Sequence, residues 1–141
     1  QIRRRDFVVT FAMVARVPLF VHLDAAEIAD LVNILRARTV PVGTTIVRKG
    51  ERGDAMYLIA SGRVEVESDS GKVVLEEGDF FGEIALLSRE PRSATVTALQ
   101  SVDLLVLDAD EFLRLVDRFP DVGAKVHGVG RARRPNPPAP D

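Results

Sequence analysis

The chain has 141 residues, is 46% apolar and carries a formal net charge of -2: enough to bury one core, too short for two domains of ordinary size, and without the basic field of a large nucleic-acid footprint. It contains no cysteine, which excludes disulfides and thiolate metal sites. No apolar run reaches the roughly 18 to 20 residues of a membrane span, and nothing at the start resembles a secretory signal.

The chain opens on Gln1 and closes on the proline-rich RRPNPPAPD, so it reads as a piece of a longer protein. Near its start, Phe7, Phe11 and Val14 stand at helical spacing behind Arg3, Arg4 and Arg5, which predicts a short amphipathic helix over 2–14. Three such arginines are usually a solvated face. Beyond Pro18, Asp24 and Glu27 have the spacing of a capping box, and Ile28, Leu31, Val32 and Leu35 follow on one face. A second helix ending near Arg36 follows from that pattern.

From Thr39 the period changes. Val64 and Val66 alternate with Arg63, Glu65 and Glu67, and Ala94, Val96 and Ala98 alternate with Thr95 and Thr97. Glycine at 43, 50, 62, 71 and 78 punctuates the stretch. Short strands joined by tight turns up to about Leu107 suit a closed or double-sheet antiparallel roll, which hides its edges. At Asp108, which with Glu111 three residues on has the spacing of a helix cap, helical spacing returns, with Phe112, Leu115, Val116 and Phe119 on one face. Pro120 is placed to open a fourth helix that Pro135 closes. That helix is weak by composition, since Gly123, Gly128 and Gly130 each cost about 1 kcal/mol relative to alanine in a helix interior.

The expected architecture is therefore α+β: an antiparallel β-roll (jelly roll) over 38–107, flanked by N-terminal helices over 1–36 and C-terminal helices over 108–134. Together they form a single domain over 1–134, followed by a disordered tail over 135–141.

One loop concentrates chemistry. GDFFGEIALLSREPRSATV, residues 78 to 96, sets Glu83 nine positions before Arg92, with Gly82 and Ser93 beside them and a short apolar helical turn between. A bland reading is a surface turn with a solvated pair between Glu83 and Arg92. However, FGEIALL carries no charge after Glu83, so its apolar side must be buried. Its first free amides, from Ile84 on, then make an anion site. Arg92 beside small Ser93 and Ala94 offers a planar fork with a hydroxyl next to it, a combination that suits phosphate oxygens. Glu83, an acceptor, suits sugar hydroxyls.

The same residues carry a resemblance. FGEIALLSREPRSATV is similar to the phosphate-binding cassette of the cyclic nucleotide-binding domain family, and GERGDAMYLIASGRVEV, residues 50 to 66, resembles the strand, glycine and strand pattern that precedes it there. The likeness runs from about Val17 to Arg134. It implies a β-roll flanked by helices that binds cAMP or cGMP. Carried over by position, it implies that Arg92 pairs with the cyclic phosphate, assisted by Ser93 and the amides of Ile84 and Ala85. Glu83 would hold the ribose 2'-hydroxyl, while Gly82 permits close backbone approach. Val66, Val73 and Leu75 match positions that line the base, although plain core is an equal account of each. Arg133 matches a helix position from which channel members reach over the purine, and it suits the helix dipole without any ligand. Ser93, where threonine accompanies cGMP preference, implies cAMP with cGMP weaker.

Within the family, no helix-turn-helix is visible after the last helix and no second tandem cassette is present. RRRDFVVTFAMVARVPLF resembles the segment that links pore to binding domain in bacterial cyclic nucleotide-gated potassium channels. The implied partners are a cyclic nucleotide and the rest of a channel upstream of Gln1, with no nucleic acid and no metal or other cofactor. The implied location is the cytoplasmic side of an inner membrane. A cupin-like metalloenzyme would need a cluster of histidines, and His22 and His127 stand about a hundred residues apart. A module that has lost its ligand would be expected to have replaced Arg92 or Glu83.

Overall fold

The structure, a computed structural model, describes residues 7–133, with side chains described as far as Val129. The arginines at 3 to 5, the last residue expected in the fourth helix and the tail expected over 135–141 lie outside the described residues.

Of the first predicted helix, residues 2–6 lie outside the described residues, and the described part is helical only near its end. Residues 7–10 are not helical, and α1 spans Phe11–Ala15. Val8, Val9 and Thr10 are β-branched and poor at starting a helix. Thr10 caps it instead, its hydroxyl accepting from the Met13 amide at 3.3 Å. A 3-10 turn over Pro18–Phe20 leads to α2, Ala25–Ile34, whose capping box is complete. The Glu27 amide donates to Asp24 Oδ1 at 2.8 Å, and the Asp24 amide to Glu27 Oε1 at 2.9 Å.

Strand begins at Arg36, two residues ahead of the expected start of the roll. The strands are β1 Arg36–Val40, β2 Thr45–Val47, β3 Ala55–Ser61, β4 Arg63–Ser68, β5 Gly71–Glu76, β6 Phe80–Phe81, β7 Ala94–Ala98 and β8 Val102–Asp108. A short helix, α3 Glu83–Ser88, interrupts them between β6 and β7, and α4 Ala109–Arg118 and α5 Pro120–Arg133 close the described chain. The strands form two antiparallel sheets of four, in the orders β1-β8-β3-β6 and β2-β7-β4-β5. This is the jelly-roll arrangement, in which two sheets bury their inner faces against each other.

Side-chain parity explains the hydropathy pattern. On β3 and β8, Ala55, Tyr57, Ile59, Val102, Leu104 and Val106 point between the sheets, whereas Met56, Leu58, Leu105 and Leu107 pack against the helices. A sheet buried on both faces needs continuous apolar runs, here AMYLIA and LLVL. The second sheet is covered on one face only, which gives β4 and β7 the polar alternation visible in sequence. The helices contribute Val14, Leu19, Phe20, Ile28, Leu31, Phe112, Leu115, Val122 and Val126 to the core beneath the first sheet.

Asp108 stands at the N-cap of α4 as its spacing predicts, but its side chain makes no capping bond. The carboxylate is taken by Arg36 Nη2 at 2.6 Å, across the β1–β8 pair. In α5, Gly123 has a packing reason: a Cβ there would lie 2.9 Å from the Val116 carbonyl oxygen, so the glycine lets α5 cross closely over α4. Gly128 has open space around it. The helix forms despite its composition because it packs on α3, α4 and the 3-10 turn.

Candidate functional site

The inner face of the second sheet and the segment from Phe81 to Ala94 enclose a cavity of about 440 Å³. Strand register builds one wall. Val66 stands between Val73 on β5 and Val96 on β7, and Ser68 stands between Gly71 and Ala94. These side chains share a face because residues two apart on a strand do. The opposite wall is the start of α3 together with Arg92 and Ser93.

Two charged side chains in that wall are buried, with Glu83 at 0% and Arg92 at 6% exposure. A buried guanidinium must be hydrogen-bonded or its desolvation is not offset. Arg92 Nη2 donates to the Ala55 carbonyl at 2.9 Å and Nη1 to the Gly82 carbonyl at 3.3 Å, and Asp54 Oδ1 lies 3.5 Å from Nη2. Arg92 thus pairs with Asp54, largely exposed just before β3, and Glu83 is buried rather than solvated as in the bland reading. The guanidinium also lies over the Tyr57 ring, 5.9 Å from its centroid, and that ring stacks on Phe81 at 5.0 Å and 13°. Burial above all, and then the charge of Asp54, raise the Tyr57 phenol above its ordinary ionisation range against the lowering influence of Arg92.

The backbone approaches closely here. Gly82 caps α3 at φ +91°, and a Cβ on it would stand 3.0 Å from both the Ala55 carbonyl oxygen and Arg92 Nη1. Glycine is required there on both conformational and steric grounds. The Arg92 backbone is fixed as well, its amide donating to Glu51 O and its carbonyl accepting from the Gly50 amide, each at 2.8 Å. The first amides of α3 have no carbonyl one turn earlier within the helix, and its first residues, Glu83, Ile84 and Ala85, line the cavity.

Among the residues singled out in sequence, Gly82, Glu83, Ile84, Ala85, Arg92, Ser93, Val66, Val73 and Leu75 all line this one cavity. Val73, 58% exposed, sits at its open side. Arg133 ends α5, and its side chain lies outside the described residues. Other lining residues were not anticipated: Val47, Phe81 and Val96 among the apolar ones, and Ser68, Ser70, Gly71 and Ala94 at the hairpin end. Val96 and Ala94 carry the alternating signal that marks an inward face. Which cavity that face lines depends on the β4–β7 register, which spacing alone does not give.

An anionic group against Arg92 and the α3 amides, a hydroxyl against Glu83 and a flat apolar body against Val66, Val73 and Leu75 would together satisfy every wall of the cavity. Comparison with known proteins identifies the family. The family described as cyclic nucleotide-binding domain matches residues 37–119. The chain is 45% identical over 138 residues to a cyclic nucleotide-gated potassium channel of Rhizobium etli, covering 98% of this chain and 39% of that one. It is 47% identical over 134 residues to a cyclic nucleotide-gated potassium channel of Mesorhizobium japonicum, covering 95% and 38%. The chain thus spans well under half the length of these curated relatives. Among solved structures, the regulatory domain of Toxoplasma gondii PKA, crystallised with cAMP, superposes with a TM-score of 0.75 at 30% identity, covering 84% of this chain and 48% of that one.

Proposed function

The chain belongs to the cyclic nucleotide-binding domain family, and from that premise we propose that its cavity binds cAMP, with cGMP weaker, and reports that binding to the gate of an ion channel. The observation that carries this reading is the convergence of a buried Arg92, a buried Glu83 and the first residues of α3 on one cavity with an apolar far wall. Arg92 takes the cyclic phosphate with Ser93 and the amides of Ile84 and Ala85, Glu83 accepts from the ribose 2'-hydroxyl, and Val66, Val73 and Leu75 face the base. Arg133, at the end of α5, is assigned to the purine by its match to the family's helix position. Ser93, where threonine accompanies cGMP preference in the family, favours cAMP.

The role is regulatory rather than catalytic. A ligand shifts a conformational equilibrium only by its difference in affinity between the two states. Here α3 carries part of the ligand wall and also packs on α5, and α5 packs on α4 and the 3-10 turn. Anion binding at α3 therefore reaches α5 and the N-terminal helices through direct contacts. We read 1–134 as one domain on the cytoplasmic side of a channel whose remainder lies upstream of Gln1. No described helix is long and apolar enough to cross a membrane. A regulatory domain of another cyclic nucleotide effector is the second reading, favoured by the likeness to a kinase regulatory domain.

Arg92→Ala tests the assignment. It leaves the ligand's buried charge unpaired, and a loss of about 2 to 5 kcal/mol in cAMP binding is expected by calorimetric titration, roughly 30-fold to several thousandfold. Wild-type affinity in that variant would overturn it.

A further inference from the structure

The one tyrosine of the chain stands behind the one buried arginine among the described residues. Tyr57 is not among the residues that line the cavity, yet it meets three parts of its wall. Its ring lies under the Arg92 guanidinium, stacks on Phe81 and would be 3.4 Å from a Cβ at Gly82. The β3–β6 register sets Tyr57 opposite Phe81, so the stack follows from strand pairing and places one aromatic ring beneath the turn from which α3 starts.

We infer that Tyr57 is a positioning residue: its ring face, with the carbonyls of Ala55 and Gly82, holds the Arg92 fork in the direction from which it meets an anion. The inference rests on the proposed function for the identity of that anion. An arginine side chain has about 2 kcal/mol of rotamer entropy to lose. The two carbonyls and Asp54 hold the guanidinium N–H groups, and the ring, its centroid 5.9 Å from the guanidinium carbon, limits the space into which the side chain could turn. Ordering completed before the ligand arrives is not charged against binding, so the ring contributes to affinity without a ligand contact. A cation over an aromatic face, out of water, adds electrostatic attraction. The hydroxyl is not required for either effect. A leucine would fill part of the same core volume and supply neither.

Calorimetry with cAMP on the full chain, comparing Tyr57→Leu, Tyr57→Phe and Ile59→Ala, provides the test. Ile59 is buried in the same inter-sheet core, on the same strand face, and is absent from the cavity lining, so it controls for general loosening. Tyr57→Leu is expected to weaken cAMP about 5- to 30-fold, with Tyr57→Phe and Ile59→Ala close to wild type. The Arg92 Nε–H resonance gives an independent readout without nucleotide. It should be resolved and ring-current shifted in wild type and Tyr57→Phe, and lose that shift in Tyr57→Leu. Equal affinities for Tyr57→Leu and wild type would overturn the inference. So would a Tyr57→Phe loss as large as that of leucine, an Ile59→Ala loss as large, or an unmoved resonance. Should wild type itself fail to bind cAMP, the proposed function falls, while the resonance still decides whether Tyr57 orders Arg92.

Discussion

Gly82 carries the tightest requirement in the site. Its φ of +91° is open to glycine and strained for other residues, and the space a Cβ would need is held by the Ala55 carbonyl and by Arg92 itself. Gly82→Ala should therefore cost about 1 to 3 kcal/mol of stability, measured by urea denaturation. It should also weaken cAMP, because the guanidinium is the movable neighbour. A variant as stable as wild type would show that the turn relaxes freely. Arg89, at φ +60° on the C-cap of α3, is the one non-glycine among the described residues with positive φ. Much of this was legible beforehand, since Gly82, Glu83, Arg92 and Ser93 fall within one short segment and a nine-residue spacing brings them together. Asp54 and Tyr57 were not, because they reach Arg92 only through the pairing of β3 with β6 and β8. No local spacing encodes that pairing.

At the scale of elements, α2 and α4 announced themselves through amphipathic spacing, and the capping box of α2 formed as read. The failures also have physical causes. Within the helix predicted over 2–14, residues 7–10 are not helical and α1 begins at Phe11, because a β-branched run precedes it and its threonine prefers to cap. Asp108 gives up its capping bond to a long-range partner, Arg36, that no helix rule anticipates. In α5 the glycines separate into two kinds. Gly128→Ala has open space and should stabilise the helix by about 1 kcal/mol. Gly123→Ala should destabilise, because its Cβ would press on the Val116 carbonyl at the α4 crossing. Paired thermal and urea melts of the two variants distinguish these outcomes. The same sign for both would contradict the seat assigned to Gly123.

Across the whole molecule, the ligand cavity and the helical core lie on opposite sides of the first sheet's neighbourhood, joined through α3 and α5. If cAMP steadies that junction, amide exchange across residues 120–133 should slow on saturation with nucleotide, more than on strands β3 and β8, which are already deep in the core. Equal protection with and without cAMP would mean that α5 does not sense the site. The central claim is that the cavity takes a cyclic phosphate ester, and the most direct measurement is calorimetric titration of the wild-type chain with cAMP, cGMP and 5'-AMP side by side. The expected result is saturable one-site binding, with cAMP tightest, cGMP weaker and 5'-AMP weakest by far. Absence of saturable binding to cAMP, or 5'-AMP binding as tightly as cAMP, would contradict it.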